Sequence, residues 1–498
     1  MFRYPLRLGS RPGTAVKAKT TAQSAGRLRY PRHLRTIATS PARNAFYSNP
    51  SFYYGLVIGA TAFVWGLHRA WSPAAAPVEI QYANGATMLQ ASKEIEAILG
   101  SGVVSFDEDV IEAHGHSDWS TSNSSGRPVA IVYPNNTKDV SEIAKVCCKY
   151  RVPMVPFGAG SSVEGNFSSP YSGICIDFTF MDEVVAFHPE DMDVVVQPGV
   201  NWVDLNKRIQ SSGLFLPMDP SPTATIGGMV STNCSGTNAF RYGTMKDWVI
   251  NVTVVLPDGR IIKTRQRPRK SSAGYNLTSL FVGAEGTLGM ITEITCKLAV
   301  LPQETGVAVV SFPSISDAAT AASKLIRSGI QLAALELMDD VQMGVLNKHG
   351  SAAVRRWQFP ENPTLFLKFS GTKEGVHGDI ASVKSVIEPF SPIPISKLAE
   401  LIDISKQESD KLGVFASIVG HVGDGNFHQA VMYDAKNEEH VQAVEACVHK
   451  MMDRAVELGG TVSGEHGIGI GKKECLLNEL GVDTINLMRA LKSSVDPK

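Results

Sequence analysis

Two histidines flank a glycine-rich turn near the end of the 498-residue sequence. In residues 415–433, FASIVGHVGDGNFHQAVMY, apolar stretches surround Gly-Asp-Gly-Asn at 423–426, which predicts a β-hairpin. Closing a four-residue loop would pair His421 with His428, and cross-strand neighbours have Cβ atoms about 5 Å apart on one face. Two imidazoles so placed can share a metal ion, although two exposed strand histidines give the same pattern.

A third candidate ligand follows in GTVSGEHGIGIGK, where Glu465 and His466 lie among glycines that let the backbone approach a ligand closely. Two histidines and one carboxylate leave coordination positions open for a substrate, as in catalytic rather than structural metal sites. Zinc is the first candidate, and ligand type does not exclude manganese, iron or cobalt. The sequence therefore predicts a catalytic metal site with His421, His428 and Glu465 as ligands.

Three tracts of small residues precede this part of the chain, at 156–166, 220–243 and 281–292. Glycines let backbone N–H groups crowd around an anion, and hydroxyls add donors, so such loops can hold a diphosphate. The first tract, PFGAGSSVEGN, is neither a Walker loop nor a Rossmann fingerprint. Buried Ser, Thr and Asn side chains require partners, and a large polar ligand would supply them.

From about Gly126 onward, the sequence resembles the vanillyl-alcohol-oxidase-type flavoproteins, through the motifs SPTATIGG and GAEGTLG. The resemblance implies that the three tracts wrap an extended FAD. The cofactor-binding residues predicted on this basis are Pro156, Gly158, Gly160, Ser161, Ser162, Gly165, Asn166, Pro220, Thr225, Gly228, Ser231, Thr232, Asn233, Glu285, Gly286, Gly289 and Ile291.

The motifs GHVGDGNFH and GEHGIG resemble the signatures of the FAD-linked oxidase C-terminal domain. That resemblance supports His421, His428 and Glu465 as metal ligands, and it implies that Asn426 lies by the flavin or the substrate. The metal could bind a 2-hydroxy acid through its hydroxyl and carboxylate groups. His466 would accept the hydroxyl proton while the α-hydrogen leaves as hydride to the flavin.

For function, the resemblance implies oxidation of D-lactate to pyruvate, with electrons passing from FADH₂ to cytochrome c. Family members that act on glycolate or D-2-hydroxyglutarate share the same motifs. Those two substrates therefore stay open as alternatives.

One family element is absent between LFLKFSG (365–371) and SKLAELI (396–402). The family has there a longer connector with a Trp-x-x-Arg element, followed by a strand with an Asp-Val pair. After Trp357, no tryptophan or arginine occurs before Arg454. The family arginine clamps the substrate carboxylate, a role for which its bidentate geometry suits it.

Arg269 and Lys368 are the remaining candidate cations for that carboxylate. The chain also ends at Lys498, where relatives continue into an Asn-Pro-Gly tail that approaches the active site. The alternative interpretation is therefore a catalytically impaired or incorrectly spliced family member that binds FAD without turnover.

The elements that must position these residues fall into two parts. PVAIVY and VPMVPFG predict strands around a helix that reaches Tyr150, and shorter strands follow as far as Leu256. Beyond Pro302, VAVVSF, a helix and TLFLKFS predict an antiparallel unit. The predicted fold is α+β, and the resemblance implies a two-subdomain vanillyl-alcohol-oxidase/PCMH-type FAD-binding domain over 120–302 and an antiparallel α+β FAD-linked oxidase cap domain over 303–498.

The first 78 residues differ in composition from the rest. Residues 1–48 contain ten Arg or Lys, many Ser, Thr and Ala, and no acid, which is typical of a mitochondrial transit peptide. Residues 52–71 have an uncharged apolar centre edged by Tyr and Trp, which predicts a transmembrane segment, with an amphipathic or cleaved sorting segment as the alternative. A basic flank kept in the matrix would anchor the chain in the inner membrane, with its body facing the intermembrane space.

The formal net charge of −1 hides an acidic body. The first 78 residues hold 11 of the 47 Lys and Arg and none of the 48 Asp and Glu, so the remainder carries −12. A nucleic-acid partner requires a basic surface, and this balance argues against one. The seven cysteines form no CxxC pair, which predicts buried free thiols.

Overall fold

The computed structural model describes residues 81–117, 120, 122–387 and 397–497. The predicted transit peptide (1–48) and membrane segment (52–71) lie outside these residues. Within the described ranges, no helix combines the length and the apolar character needed to cross a membrane. All seven cysteines are free; five are buried and two are half-buried.

The first sheet has the strand order β1-β2-β4-β3, with β1 antiparallel to β2 and the other neighbours parallel. Its strands are β1 (Val104–Ser105), β2 (Ala130–Val132), β3 (Met154–Phe157) and β4 (Ile174–Asp177). The helices around it are α1 (Gly85–Leu99), α2 (Glu108–Gly115) and α3 (Thr137–Tyr150). Asn136 starts α3, because its side-chain oxygen accepts hydrogen bonds from the first N–H groups of the helix. Strand β3 then leads directly into the first small-residue tract.

The second sheet is antiparallel, in the order β5-β6-β10-β8-β9. Its strands are β5 (Val184–His188), β6 (Asp193–Val196), β8 (Val249–Val255), β9 (Ile261–Lys263) and β10 (Met290–Lys297). The connections contain α4 (Trp202–Ile209), α5 (Ile226–Ser231), α6 (Ala239–Tyr242), α7 (Met245–Trp248), α8 (Leu277–Phe281), and the paired short strands β7 (Leu214–Phe215) and β11 (Ala299–Val300). The second and third small-residue tracts belong to these connections. Val255 and Met290 pack into the core of the first sheet, which joins the two layers.

The third sheet is also antiparallel, in the order β12-β14-β13-β15-β16. Its strands are β12 (Glu304–Ser311), β13 (Leu332–Met338), β14 (Thr364–Gly371), β15 (Phe415–His421) and β16 (Asn426–Met432). The helices of this part are α9 (Ile315–Arg327), α10 (Asp340–His349), α11 (Ala352–Arg355), α12 (Lys373–Ile387), α13 (Lys397–Lys411), α14 (Glu438–Glu457) and α15 (Lys473–Val495). The predicted α+β class and the antiparallel third sheet are confirmed.

The two faces of the third sheet differ in chemistry. One face buries Leu335, Leu367 and Phe369 in a core shared with the helices. Because side chains alternate along a strand, Glu336 and Lys368 belong to the other face. Lys368 pairs with Ala334, two residues from Glu336, so these two charged residues are diagonal neighbours. This polar face meets the FAD-type part of the fold.

The short helix α6 fixes the junction between the third sheet and the rest of the fold. Phe240 packs against the core of the third sheet. At Gly423, in the β15–β16 turn, an added Cβ would lie 2.6 Å from the Phe240 ring. The neighbouring Arg241 donates hydrogen bonds from Nη1 to the carbonyl and the hydroxyl of Ser370 on β14. A side chain of one domain thus completes the packing of the other.

Candidate active site

A cavity of about 440 Å³ lies where the three small-residue tracts meet. This volume is within the range of roughly 300–1,000 Å³ typical of ligand sites. The predicted cofactor residues that line it are Pro156, Gly158, Gly160, Ser161, Ser162, Asn166, Pro220, Thr225, Gly228, Ser231, Thr232, Glu285, Gly286, Gly289 and Ile291. At one place the wall is completed by His421, Glu465 and His466. The cavity therefore brings together the FAD-type tracts and the predicted metal site.

Two predicted cofactor residues do not line the cavity. Gly165 lies against the Ser122 carbonyl, where an added Cβ would come within 2.3 Å of the oxygen. Asn233 accepts hydrogen bonds at Oδ1 from the Thr244 hydroxyl and the Lys246 N–H, both at 2.9 Å, and so holds the turn before α7. Both residues shape the tracts, and the structure does not place either one at the cavity wall.

The cavity wall has the features that a large polar cofactor requires. The hydroxyl of Thr225 is buried without a hydrogen-bond partner among the described residues, and a buried hydroxyl is costly unless a ligand satisfies it. Gly158 approaches that hydroxyl so closely that a Cβ would lie 2.7 Å from it. A glycine at this position lets the backbone of the first tract lie against Thr225 of the second. The residues present therefore fit a phosphate-bearing cofactor such as FAD.

The hairpin of β15 and β16 carries both histidines, although its register differs from the predicted one. His421 pairs with Asn426 and His428 pairs with Val419, a shift of two residues from the predicted His421–His428 pair. The turn is 422–425 because Val422 is buried in the core of the third sheet. A shift of two keeps both imidazoles on one face, with ring centroids 5.1 Å apart.

Glu465 lies at the centre of the cluster. Its Oε1 is 2.8 Å from Nε2 of His428 and 3.2 Å from Nε2 of His421. Its Oε2 accepts a hydrogen bond of 2.7 Å from the hydroxyl of Ser235. Burial opposes the charge of Glu465, but the hydrogen bonds from both histidines and Ser235 outweigh burial and hold its pKa well below the usual range. The carboxylate is therefore ionised, as a metal ligand must be.

The three candidate ligand atoms, one from each of His421, His428 and Glu465, lie within 4.8 Å of one another. Neutral imidazole and carboxylate are ligands that zinc and related divalent ions accept. The three side chains therefore fit a divalent ion, and each is half-buried, which leaves room for an exogenous ligand.

Glu336 on β13 orients His421 and was not predicted from the sequence. Its Oε2 is 2.6 Å from Nδ1 of His421. Burial alone would lower the pKa of His421, but Glu336 and Glu465 outweigh it and raise that pKa to about 10. A divalent ion would have to displace the Nε2 proton of His421, while the Nδ1 proton stays shared with Glu336, which is the carboxylate–histidine arrangement found behind metal ligands.

We expect Glu336→Gln to weaken divalent-metal affinity by about 10–100-fold, because the histidine loses its charged hydrogen-bond partner. Chelator competition with Zn²⁺ on the FAD-loaded protein measures this directly. Glu374→Gln, at an exposed position on α12, is the matched control and should leave the affinity unchanged. Equal affinity in the Glu336 variant and the control would contradict the role assigned to Glu336.

His466 lies beside the ligand cluster. The ring stacks on His428 at a centroid distance of 4.9 Å, and its Nε2 is 3.9 Å from Oε1 of Glu465. Burial, and then the neighbouring His428, lower the pKa of His466 to about 4. The imidazole is therefore neutral near pH 7 and lines the cavity, as a general base requires.

The remaining predicted site residues are placed differently. Asn426 packs against Gly464, next to Glu465, and is not among the residues lining the cavity. Lys368 donates a hydrogen bond of 2.9 Å from Nζ to Oδ1 of Asn238, and neither residue is among those lining the cavity. Its role as a substrate cation stays a prediction.

Arg269 is not brought to the cavity, contrary to its prediction as a substrate cation. Its guanidinium donates hydrogen bonds to the backbone carbonyls of Asp191 and Met192, at 3.1 and 3.0 Å. Arg267 on the same loop forms ion pairs with Asp191 and Asp193. These contacts hold the loop on the turn between β5 and β6.

Comparison with known proteins identifies both halves of this arrangement. The profile of the FAD binding domain matches residues 128–265, and that of the C-terminal domain of FAD linked oxidases matches residues 301–390 and 391–498. The mitochondrial D-lactate dehydrogenase [cytochrome] of Kluyveromyces lactis is 39% identical over 471 residues, covering 84% of this chain and 81% of the relative. The protein of the same name from Arabidopsis thaliana is 40% identical over 432 residues, 78% of this chain and 75% of the relative.

Among solved structures, the fold is similar to that of p-cresol methylhydroxylase with substrate bound. The TM-score is 0.67 at 16% identity, over 83% of this chain and 96% of the other. At that identity the likeness concerns the fold alone, and it confirms the predicted vanillyl-alcohol-oxidase-type architecture.

Proposed function

Because this chain belongs to the family of FAD-linked oxidases that includes the mitochondrial D-lactate dehydrogenases [cytochrome], we propose that it oxidises D-lactate to pyruvate and passes the electrons to cytochrome c. The observation that carries the proposal is the meeting of the three small-residue tracts with the His–Glu cluster in one cavity. FAD, when bound, supplies the acceptor for the α-hydrogen and its two electrons.

His421, His428 and Glu465 would hold a divalent ion, with zinc as the first candidate. Such an ion would bind the hydroxyl and carboxylate of a 2-hydroxy acid and lower the pKa of the hydroxyl. Ser235 and Glu336 keep the ligands oriented through their hydrogen bonds to Glu465 and His421. Because these side chains are already held in place, little free energy is spent on ordering them when the substrate binds.

His466 is the proposed base that removes the hydroxyl proton of the substrate at its neutral imidazole. Its position beside the ligands and on the cavity wall supports this role. Lys368 is the proposed contact for the substrate carboxylate, since it lies on the sheet face that carries Glu336. Asn426, packed on Gly464, would steady the segment before Glu465.

The cellular location of the protein is proposed from its relatives and from the composition of its first residues. Its relatives are mitochondrial by name, and the acid-free segment 1–48 supports a mitochondrial location for this chain. Anchoring in the inner membrane by residues 52–71, with the body in the intermembrane space, is proposed from composition. The domain bounds 120–302 and 303–498 are likewise proposed from the sequence.

Flavin bleaching tests this function. We expect the purified FAD-loaded chain to lose its flavin absorbance anaerobically with D-lactate but not with L-lactate, and then to reduce cytochrome c. Faster bleaching by glycolate or D-2-hydroxyglutarate would assign one of those substrates instead. The absorption spectrum before substrate addition serves as the control for FAD content.

A second candidate is an impaired protein that binds FAD without turnover. The absent Trp-x-x-Arg element favours it, and the match to the C-terminal profile is also divided between residues 390 and 391, within the same segment. A yellow protein that no 2-hydroxy acid bleaches would support this candidate and refute the first.

A further inference from the structure

The segment that carries Glu465 and His466 lies in neither the third sheet nor a helix. It extends over 463–472, between α14 and α15, and four of its ten residues are glycines. A metal ligand and a base must be held to within about 0.5 Å, which a free loop does not achieve. The contacts that fix this segment therefore decide whether the site works.

Two of these contacts come from the carboxylate of Glu285, in the third small-residue tract. Its Oε1 accepts a hydrogen bond of 2.8 Å from the N–H of Ile468, and its Oε2 accepts one of 2.9 Å from the N–H of Gly469. Oε2 also accepts a hydrogen bond from Nδ2 of Asn166 in the first tract. One carboxylate thus joins two walls of the FAD-type cavity to the segment after His466.

The backbone is strained or closely packed on both sides of this contact between Glu285 and the segment 463–472. Glu285 has a positive φ of 51°, a conformation that is unfavourable for a non-glycine residue and that persists only where surrounding contacts enforce it. Gly469 approaches Glu164 of the first tract so closely that a Cβ would lie 2.0 Å from its carbonyl oxygen. The ion pair of Lys472 with Glu164, at 2.8 Å, holds the far end of the segment.

Electrostatics argues against a direct role of Glu285 in holding FAD. A carboxylate aimed at a diphosphate would be repelled by it, whereas here both oxygens are occupied by N–H donors. The sequence predicted Glu285 as a cofactor residue, and it does border the cavity. Its carboxylate nevertheless binds the segment that carries the catalytic side chains.

We propose that Glu285 is a positioning residue that fastens the segment 463–472 to the FAD-type domain and so sets the place of Glu465 and His466. This inference rests on the proposed function for its catalytic consequence. The contacts themselves do not depend on which substrate is oxidised.

Amide hydrogen exchange of the FAD-loaded full chain, without substrate, tests the proposal. In Glu285→Gln, one of the two backbone N–H groups faces an amide donor instead of an oxygen. We expect exchange at Ile468 and Gly469 to become about 10-fold faster or more, because a charge-assisted hydrogen bond is lost. Zn²⁺ affinity should fall by about 10–100-fold while FAD content stays unchanged. Glu293→Gln is the matched control, because Glu293 forms its ion pair with Lys263 on β9 and is not assigned a contact with the segment 463–472.

Unchanged exchange at Ile468 and Gly469 would overturn the proposal. So would a fall in FAD content with unchanged Zn²⁺ affinity, which would make Glu285 a cofactor ligand. Faster exchange throughout the chain, including β8 and α3, would show a general loss of stability and would also overturn it. A wild-type protein that D-lactate fails to bleach would count against the proposed function only, because the exchange readout needs no substrate.

Discussion

Replacing His421 by alanine should remove the bound metal ion and lower the rate of flavin reduction by D-lactate by about 10³-fold, while FAD stays bound. Loss of a Lewis acid costs several kcal/mol of transition-state stabilisation, and each 1.36 kcal/mol is about a factor of ten. The substitution removes the Nε2 atom 3.2 Å from Glu465 and also leaves the half-buried Glu336 without its partner. Metal content by elemental analysis and stopped-flow flavin absorbance measure the two effects separately.

His377→Ala is the control, since His377 is an exposed histidine on α12. It should match the wild type in metal content, FAD content and rate. A His421→Ala protein that reduces its flavin at the wild-type rate would show that the cluster of His421, His428 and Glu465 has no catalytic role. Restoration of the rate by excess Zn²⁺ would instead locate the defect in affinity alone.

Replacing His466 by alanine should slow flavin reduction by about 10²–10⁴-fold, the usual contribution of a general base, without loss of metal or FAD. The reason is that His466 is the neutral imidazole beside the ligand cluster, with its Nε2 3.9 Å from Glu465. Stopped-flow reduction with α-deuterated and ordinary D-lactate measures both the rate and the step that limits it.

Added imidazole provides the matched test for His466, because a small base can occupy the space that the alanine leaves. Partial recovery of the His466→Ala rate by imidazole, with none in His421→Ala, would assign the base role to His466. Loss of metal in His466→Ala would show that this side chain acts as a ligand instead.

The parts of the site that the sequence predicted correctly are those with a strong local signal. Small residues in three separate tracts indicated backbone packed against a ligand, and most of the predicted positions do line one cavity. The glycine-rich turn indicated the hairpin and placed His421 and His428 on one face. The register was wrong by two residues because it depends on the burial of Val422 in a core formed by distant strands and helices.

Other features depend on contacts between segments far apart in the chain. Glu336 is the only charged residue in the strand LAALELM, and a lone carboxylate in an apolar strand needs a partner. That signal would have singled out Glu336 but could not have named His421. Arg269 was misassigned because its loop is held by Asp191 and Asp193, which precede it by more than seventy residues.

The insertion of Phe240 beneath the β15–β16 turn limits how substrate can reach the cavity. Swinging the cap away as a lid would expose more of this half-buried aromatic ring to water and would break the Arg241–Ser370 hydrogen bonds as well. We therefore expect lactate and pyruvate to enter and leave through an opening formed by local loop rearrangement. The FAD-type domain and the cap domain should stay in contact throughout the catalytic cycle.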